Sequence, residues 1–273
     1  LVLVVASAGL VACDKGGPTK PQTAPLAEPV AQTAADLAFC EQFRPPWGEQ
    51  VWQEWWQKNP DAGEKWFTET PAKMKKVDPA RLSKCTQLDN MLVAWVPLKD
   101  LKPFEHLTKL RRLDIRFASD VTDLTPLRGL HNLEFLGIWG TSVSDLGPII
   151  GLERLTEINA RMTKITDLAP LARMKKLAII DLLKAPVSDL APFAQMPLVT
   201  DIMTCSTEVK ELSPLFPVAE RITYLDLCNT PFRAYDELTR FRNLKTLKLW
   251  GLPLGKITWL SGAAFPQMEE LDL

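Results

Sequence analysis

One string constrains this chain more than any single residue does: L-x-x-L-x-x-L-x-L-x-x-T-x-[VI]-x-D-L-x-P-L returns about every 22 residues from about Leu88 onward. Its anchor leucines, or their substitutes, are Leu88, Leu110, Leu133, Leu155, Leu177, Val199, Ile222, Leu244 and Met268. A unit of that length cannot bury its own apolar side, whereas stacked units share one continuous core, so the period predicts a solenoid.

Each unit divides into two tasks. L-x-L, as in Leu136-Gly137-Ile138, alternates inward and outward and reads as a strand. Ser144-Asp145-Leu146-Gly147-Pro148-Ile149 reads as a turn and a short 3-10 helix, with Asp as an N-terminal cap and Pro in the first turn. Capping accounts for the acidic column Asp100, Asp123, Asp145, Asp167, Asp189 and Glu211, and metal ligation by it is not expected. The Asp-Leu-x-Pro pattern stops after Glu211, so the coils from Ile222 onward should have a less regular outer side.

The 22-residue unit with D-L-x-P-L is similar to the leucine-rich repeats of internalin-like bacterial surface proteins, over roughly residues 85–273. The resemblance implies an α/β solenoid: a leucine-rich-repeat arc with a parallel β-sheet on the concave face, short 3-10 helices or turns on the convex face, and a small helical cap before it. It also implies a protein ligand on the concave face. Where that family usually has Asn after the strand, this chain has Thr141, Thr163, Thr207 and Thr230, whose hydroxyls can still bond the turn backbone. The chain ends in strand pattern at Leu271-Asp272-Leu273, so an open sheet edge is expected there.

The N-terminal run Leu1 to Ala12 is too short to span a bilayer and closes on Leu10-Val11-Ala12-Cys13. It resembles a bacterial lipoprotein signal with its lipobox, which implies cleavage before Cys13 and lipidation of that cysteine. Without a basic n-region, the chain is expected to begin inside its own signal. Pro, Ala, Thr, Gln, Lys and Gly dominate from Asp14 to about Asp36, a composition that cannot bury a core and predicts a tether. The expected organisation is a signal peptide at 1–12, a tether at 13–36, a helical cap at 37–84 and the repeat domain at 85–273. The expected location is the cell envelope, facing the periplasm or the exterior, with the chain held on a membrane through Cys13.

Setting Cys13 aside leaves Cys40, Cys85, Cys205 and Cys228, an even set in a compartment where disulfides persist. Three pairings are possible, and the register favours one. Cys205 and Cys228 hold the same position in consecutive coils, on strands about 4.8 Å apart, inside the window a disulfide accepts. Cys40 would then pair with Cys85 and tie the cap to the first coil.

Within the cap, Val51, Trp52, Trp55 and Trp56 share one helical face, stopped by Asn59-Pro60, and a second helix is expected from about Ala62 to Lys76. These tryptophans read as cover for the first coil's leucines. An aromatic platform for sugar or peptide is the alternative.

Reaction chemistry is not suggested by the residues. Two histidines, His106 and His131, have no Cys or carboxylate at ligand spacing, and there is no phosphate-binding glycine loop, G-x-S-x-G or H-E-x-x-H. No catalytic site, cofactor or metal is expected. A net charge of -1 argues against nucleic acid.

Binding is expected on the outward strand positions, which the register sorts into three columns. The first holds Arg112, Phe135 and Tyr224; the second holds Asp181 and Asp226; the third holds Arg116, Trp139, Arg161, Leu183 and Trp250. Trp139 flanked by Arg116 and Arg161 combines the residue types that dominate interface hot spots. Phe135, Ile179, Leu183, Met203 and Tyr224 should add exposed apolar area. The function expected is display of that face to a protein partner, the alternatives being cell-wall or polysaccharide binding through exposed tryptophans such as Trp250, or a structural envelope role.

Overall fold

A computed structural model describes residues 32–44, 76–255, 258–260 and 263–273. The lipobox with Cys13, the tether up to residue 31 and the tryptophan-rich stretch from Trp47 to Trp66 lie outside these residues.

The repeat builds one sheet of nine parallel strands in chain order. They are β1 (Asn90–Leu92), β2 (Arg112–Asp114), β3 (Phe135–Gly137), β4 (Glu157–Asn159), β5 (Ile179–Asp181), β6 (Asp201–Met203), β7 (Tyr224–Asp226), β8 (Thr246–Lys248) and β9 (Glu270–Asp272). Every neighbouring pair is in register, for example Leu113 opposite Leu136 and Leu136 opposite Ile158. This is the leucine-rich-repeat arc the period predicts: strands on one face, short 3-10 turns on the other.

One coil shows why. Leu133, Leu136, Ile138, Val143, Leu146, Ile149 and Leu152 all turn inward and are buried. Each such side chain contributes roughly 1.5–3 kcal/mol when removed from water, and none could be covered within its own coil. The stacked coils form one continuous apolar core.

The acidic residues of the outer side work one position further out than a helix cap. Asp123 Oδ1 accepts the Thr125 N–H at 2.7 Å, and Asp145 and Asp167 accept from Gly147 and Ala169 at 2.7 Å each. The carboxylate thus satisfies the first orphan N–H of each 3-10 turn across the intervening leucine. Glu211 instead bonds the Ser213 hydroxyl at 3.2 Å, and the turn it begins, Ser213–Arg221, runs to nine residues with Pro217 inside it. Thr141, Thr163, Thr207 and Thr230 are buried, and each donates its hydroxyl to the carbonyl three residues back, at 2.7–2.8 Å.

At the N-terminal side, α1 (Ala34–Glu41) opens three residues inside the stretch assigned above to the tether. A reciprocal capping box between Thr33 and Asp36 starts it there. Phe43 behind it is buried, and its carbonyl accepts the Leu92 N–H at 2.9 Å, which covers part of the first strand's edge. Cys40 and Cys85 are bonded and join α1 to the 3-10 turn Pro79–Lys84.

The Cys205–Cys228 bond expected from the register is not formed: both are free thiols. In-register positions on parallel neighbours send both Cβ atoms off the sheet in the same direction, so the thiols stand side by side.

Candidate functional site

The three outward columns fall as the register predicts, and the ladder carries on past each three-residue strand. Ile138 N–H donates to the Asn159 carbonyl at 2.8 Å and Gly140 N–H to the Arg161 carbonyl at 2.8 Å, so the third column belongs to the same face.

Trp139 lies between two guanidinium groups. The Cζ atoms of Arg116 and Arg161, on the rungs either side, are each 5.7 Å from its ring centroid. Neither arginine is an unneutralised charge. Arg116 is 8% exposed and holds Asp114, its Nε donating to Oδ2 at 2.9 Å and its backbone N–H to Oδ1 at 3.1 Å. Arg161 Nε donates to Oδ2 of Asp181 on the next rung. The cluster is therefore an Asp–Arg–Trp–Arg–Asp arrangement whose rotamers are set by ion pairs before anything binds.

Asp181 is 5% exposed, and burial pushes its carboxyl above the usual carboxylate range against the opposing pull of Arg161. Asp181 and Asp226 are in the expected column, but their first role is local. Oδ1 of Asp114, Asp181 and Asp226 each accepts the N–H two residues on, at 3.1, 3.2 and 3.0 Å. The central acids thus hold the strand ends as Asx turns do.

The apolar part of the face is smaller than expected. Phe135, expected to be exposed, is 8% exposed, because the Arg112 guanidinium covers its ring at 4.1 Å. Ile179, Leu183, Met203 and Tyr224 are half-buried, with Lys248 Nζ 5.6 Å from the Tyr224 ring centroid. Trp250 is open to solvent at 57%. His106 and His131 are both exposed, as expected of surface residues.

One further row was not legible in the sequence. Directly after the third column, Trp95, Phe117, Gly140, Met162, Lys184, Ser206, Asn229 and Gly251 all have φ between 52° and 75°. The left-handed turn recurs at each rung from β1 to β8, and the ladder holds even bulky residues in it: Phe117 N–H donates to the Trp139 carbonyl and Met162 N–H to that of Leu183, both at 2.7 Å. This row extends the aromatic cluster. Trp95 stacks on Phe117 with centroids 4.9 Å apart, Phe117 meets Trp139 at 4.8 Å, and the Trp139 indole N–H points to Met162 Sδ at 3.3 Å. Met162 is 48% exposed, so the run ends in an accessible thioether.

Solved structures share this architecture. An internalin, InlF, from Listeria monocytogenes aligns with a TM-score of 0.58 at 21% identity, covering 72% of this chain and 64% of its own. This chain has the fold of a leucine-rich-repeat arc. A functional domain of InlJ from the same species, which includes a cysteine ladder, aligns at 0.56 with 21% identity, over 71% of this chain and 40% of its own. The plant peptide hormone receptor RGFR1, in complex with RGF2, aligns at 0.50 with 14% identity, over 63% and 29%. This chain spans less than two thirds of the length of each. No family model matches the chain, and no curated protein matches it in sequence.

In the leucine-rich-repeat arc the aromatic and arginine cluster lies over β1 to β4, buried or half-buried except for the exposed Met162, and Trp250 after β8 stands apart from it. Over β6 and β7 the third column changes character to two cysteines, Cys205 and Cys228, with Asp226 beside them. Burial raises both thiols above the ordinary cysteine range, and for Cys228 its contact with Asp226 adds to the rise.

Proposed function

We propose that this chain is an envelope lipoprotein that binds a protein partner through the concave flank of its leucine-rich-repeat arc, and that it works by rigid display rather than catalysis. The observation that carries this reading is the Trp95–Phe117–Trp139–Met162 run with Arg116 and Arg161 held beside Trp139. Large aromatic and arginine side chains whose geometry is already set lose little conformational entropy on binding, which is the condition for a hot spot. None of the four residues of that run belongs to the buried leucine core. That InlF and InlJ are internalins, and that RGFR1 is solved in complex with RGF2, agrees with a recognition role for the concave side. Partner contact is assigned to Arg112, Arg116, Trp139, Arg161, Leu183, Tyr224 and Trp250, with Asp181 and Asp226 acting as their supports.

Anchoring through lipidated Cys13 is part of the same proposal. It rests on Leu10-Val11-Ala12-Cys13 and on the polar tether after it, and the Cys40–Cys85 bond agrees with an oxidising compartment. Among the described residues no helix is long and apolar enough to cross a membrane. A Cys13→Ala chain should leave the membrane fraction; if it stays, anchoring by that residue is wrong.

The partner reading is tested by crosslinking capture from intact envelopes with the wild-type repeat domain beside a Trp139→Ala/Arg161→Ala variant. A protein held by the wild type and lost by the variant supports the reading. Equal capture by both removes the assignment. The exposure of Trp250 favours a second reading, glycan stacking, under which Trp250→Ala abolishes retention on cell-wall polysaccharide and Arg161→Ala leaves it unchanged.

A further inference from the structure

We propose that Cys205, Asp226 and Cys228 form a binding site for a thiophilic divalent cation, Zn2+ by its chemistry, on the concave face of β6 and β7. The inference does not rest on the partner reading: Cys205 and Cys228 have no part in that reading, Asp226 enters it only as a support, and the ligand is a different one.

The geometry comes first. One ligand atom from each of the three, two Sγ and a carboxylate oxygen, lies within 4.8 Å of the other two. Around tetrahedral Zn2+, with Zn–S near 2.3 Å and Zn–O near 2.0–2.2 Å, such atoms sit about 3.5–3.8 Å apart. The closing movement is therefore of the order of an ångström, within reach of small side-chain rotations on strands that are already in register, Met203 opposite Asp226. The same parallel geometry that disfavours a disulfide suits a bridging ion, because side-by-side thiols converge on a point above the sheet.

Charge is the second, independent observation. The central column carries three buried or half-buried aspartates, and the first two each hold a guanidinium: Asp114 that of Arg116 and Asp181 that of Arg161. Among the described residues Asp226 has no basic partner. Its Oδ1 accepts the Cys228 N–H at 3.0 Å. Lys248, on the next rung, is directed to Tyr224 and to Glu270, whose Oε1 is 3.4 Å from Nζ. Where the two other aspartates meet a fixed cation, the third meets two sulfur atoms.

Ligand softness then selects the ion. Two sulfurs and one carboxylate suit Zn2+ and exclude Ca2+ and Mg2+, which take oxygen donors. Binding would displace the proton of each thiol to solvent, so the loaded site holds two thiolates, one carboxylate and Zn2+, with two protons released per ion. Because two protons are displaced for each ion, binding weakens as the pH falls. Three protein ligands leave the fourth tetrahedral position for water on the open side of the sheet.

The test is a Co2+ and Zn2+ titration of the metal-stripped full chain with its Cys40–Cys85 bond intact. The expected result is one Co2+ per chain with thiolate-to-cobalt charge-transfer absorption, displaced by Zn2+ with release of two protons. Cys205→Ser and Cys228→Ser should each keep the wild-type circular dichroism and bind more than about a hundredfold more weakly, beyond the 10–100-fold that loss of an outer-shell partner costs. Asp226→Asn should keep the charge-transfer band with about tenfold weaker binding or worse. Absence of that band in the wild type, or its persistence in the Cys205→Ser/Cys228→Ser double variant, overturns the site. So does a Cys205–Cys228 disulfide found in chain isolated without reductant in the presence of Zn2+. An unchanged Kd in Asp226→Asn overturns the carboxylate's place in the ligand set.

Discussion

Arg161 reaches across from its own rung to the carboxylate of Asp181 on the next, and its guanidinium carbon lies 5.7 Å from the Trp139 centroid. One side chain thus joins three consecutive rungs. Asp181 neutralises the arginine and orients it, Trp139 receives its face, and β4 supplies the backbone between them. Removing the arginine and removing the tryptophan therefore have different consequences for folding.

Arg161→Ala leaves Asp181, 5% exposed, without its cation. A fully buried broken pair costs about 3–5 kcal/mol. Here the Arg161 side chain is 35% exposed, and water can reach part of the lost contact. The expected destabilisation is about 1–3 kcal/mol, read as a shift of the urea midpoint at unchanged m. Trp139→Ala, at a half-exposed position outside the core, should cost less. A coupling of at least about 0.5 kcal/mol between Arg161→Ala and Asp181→Asn is expected in a double-mutant cycle; additive effects would mean that the pair does not act as a unit.

Gly137 sits in the central column because the Asp114 carboxylate occupies the space next to it. A Cβ there would lie 2.7 Å from Asp114 Cγ and 2.8 Å from Oδ1, so the carboxylate must move off the Arg116 N–H and guanidinium. Gly137→Ala is expected to destabilise the arc by about 1–3 kcal/mol, as overpacking does, and to change the environment of Trp139 through Arg116. Gly151→Ala is the control: nothing lies within 4 Å of its Cβ, and its stability should stay within about 0.5 kcal/mol of wild type. Equal effects of the two substitutions would show that Asp114 yields without loss.

Much of this fold is legible in the sequence, because the repeat supplies its own ruler. Once Leu113, Leu136 and Ile158 are aligned by period, the inward and outward positions of every strand follow, and the described rungs agree with them. What stayed hidden depends on backbone geometry or on contacts between coils. Trp95, Phe117, Met162, Lys184, Ser206 and Asn229 have no chemistry in common, so nothing in their identities announces a shared left-handed turn, which the hydrogen-bonded ladder imposes. Phe135 read as exposed because alternation gives the face a residue points to, but not that Arg112 will fold over it. Asp226 and Cys228 are two residues apart while Cys205 is on the previous coil, so no local spacing rule flags them as a set. The start of α1 is hidden in the sequence because Ala34 and Ala35 continue the tether's composition, and only the Thr33–Asp36 box marks the boundary.

The Cys40–Cys85 bond joins residues 45 apart in sequence and fastens α1 to the turn before β1. Closing a loop of that size in the unfolded chain is expected to contribute about 2–4 kcal/mol. Reduction, or Cys40→Ser/Cys85→Ser, should lower the thermal midpoint and speed hydrogen exchange first at the Leu92 amide, whose acceptor is the Phe43 carbonyl. Cys205→Ser/Cys228→Ser should leave the metal-free midpoint within a degree or two. A global loss of the sheet on reduction, with no early opening at β1, would mean that the bond supports the whole arc and not its first edge alone.

Glu134 provides a pH-dependent contribution whose sign can be stated. Arg111 holds its carboxylate in a two-point contact, Nε to Oε1 at 3.1 Å and Nη2 to Oε2 at 2.6 Å, and Arg154 Nη2 lies 3.5 Å away. The hydrogen bonds from Arg111 hold this carboxyl below the ordinary glutamate range, burial opposing them. A folded-state value below the unfolded one means that the unfolded chain takes the proton first. The stabilisation is thus complete above the ordinary glutamate value, about 4.3, and is lost as the pH falls through the lower native value. Glu134→Gln should therefore be less stable than wild type at pH 7, by under about 1 kcal/mol for a pair this exposed. The gap should close as the pH falls below 4 or as salt is raised, followed by urea unfolding across the range. A gap that stays constant from pH 7 to 3 would mean that Glu134 contributes by packing against its neighbours and that its charge is immaterial.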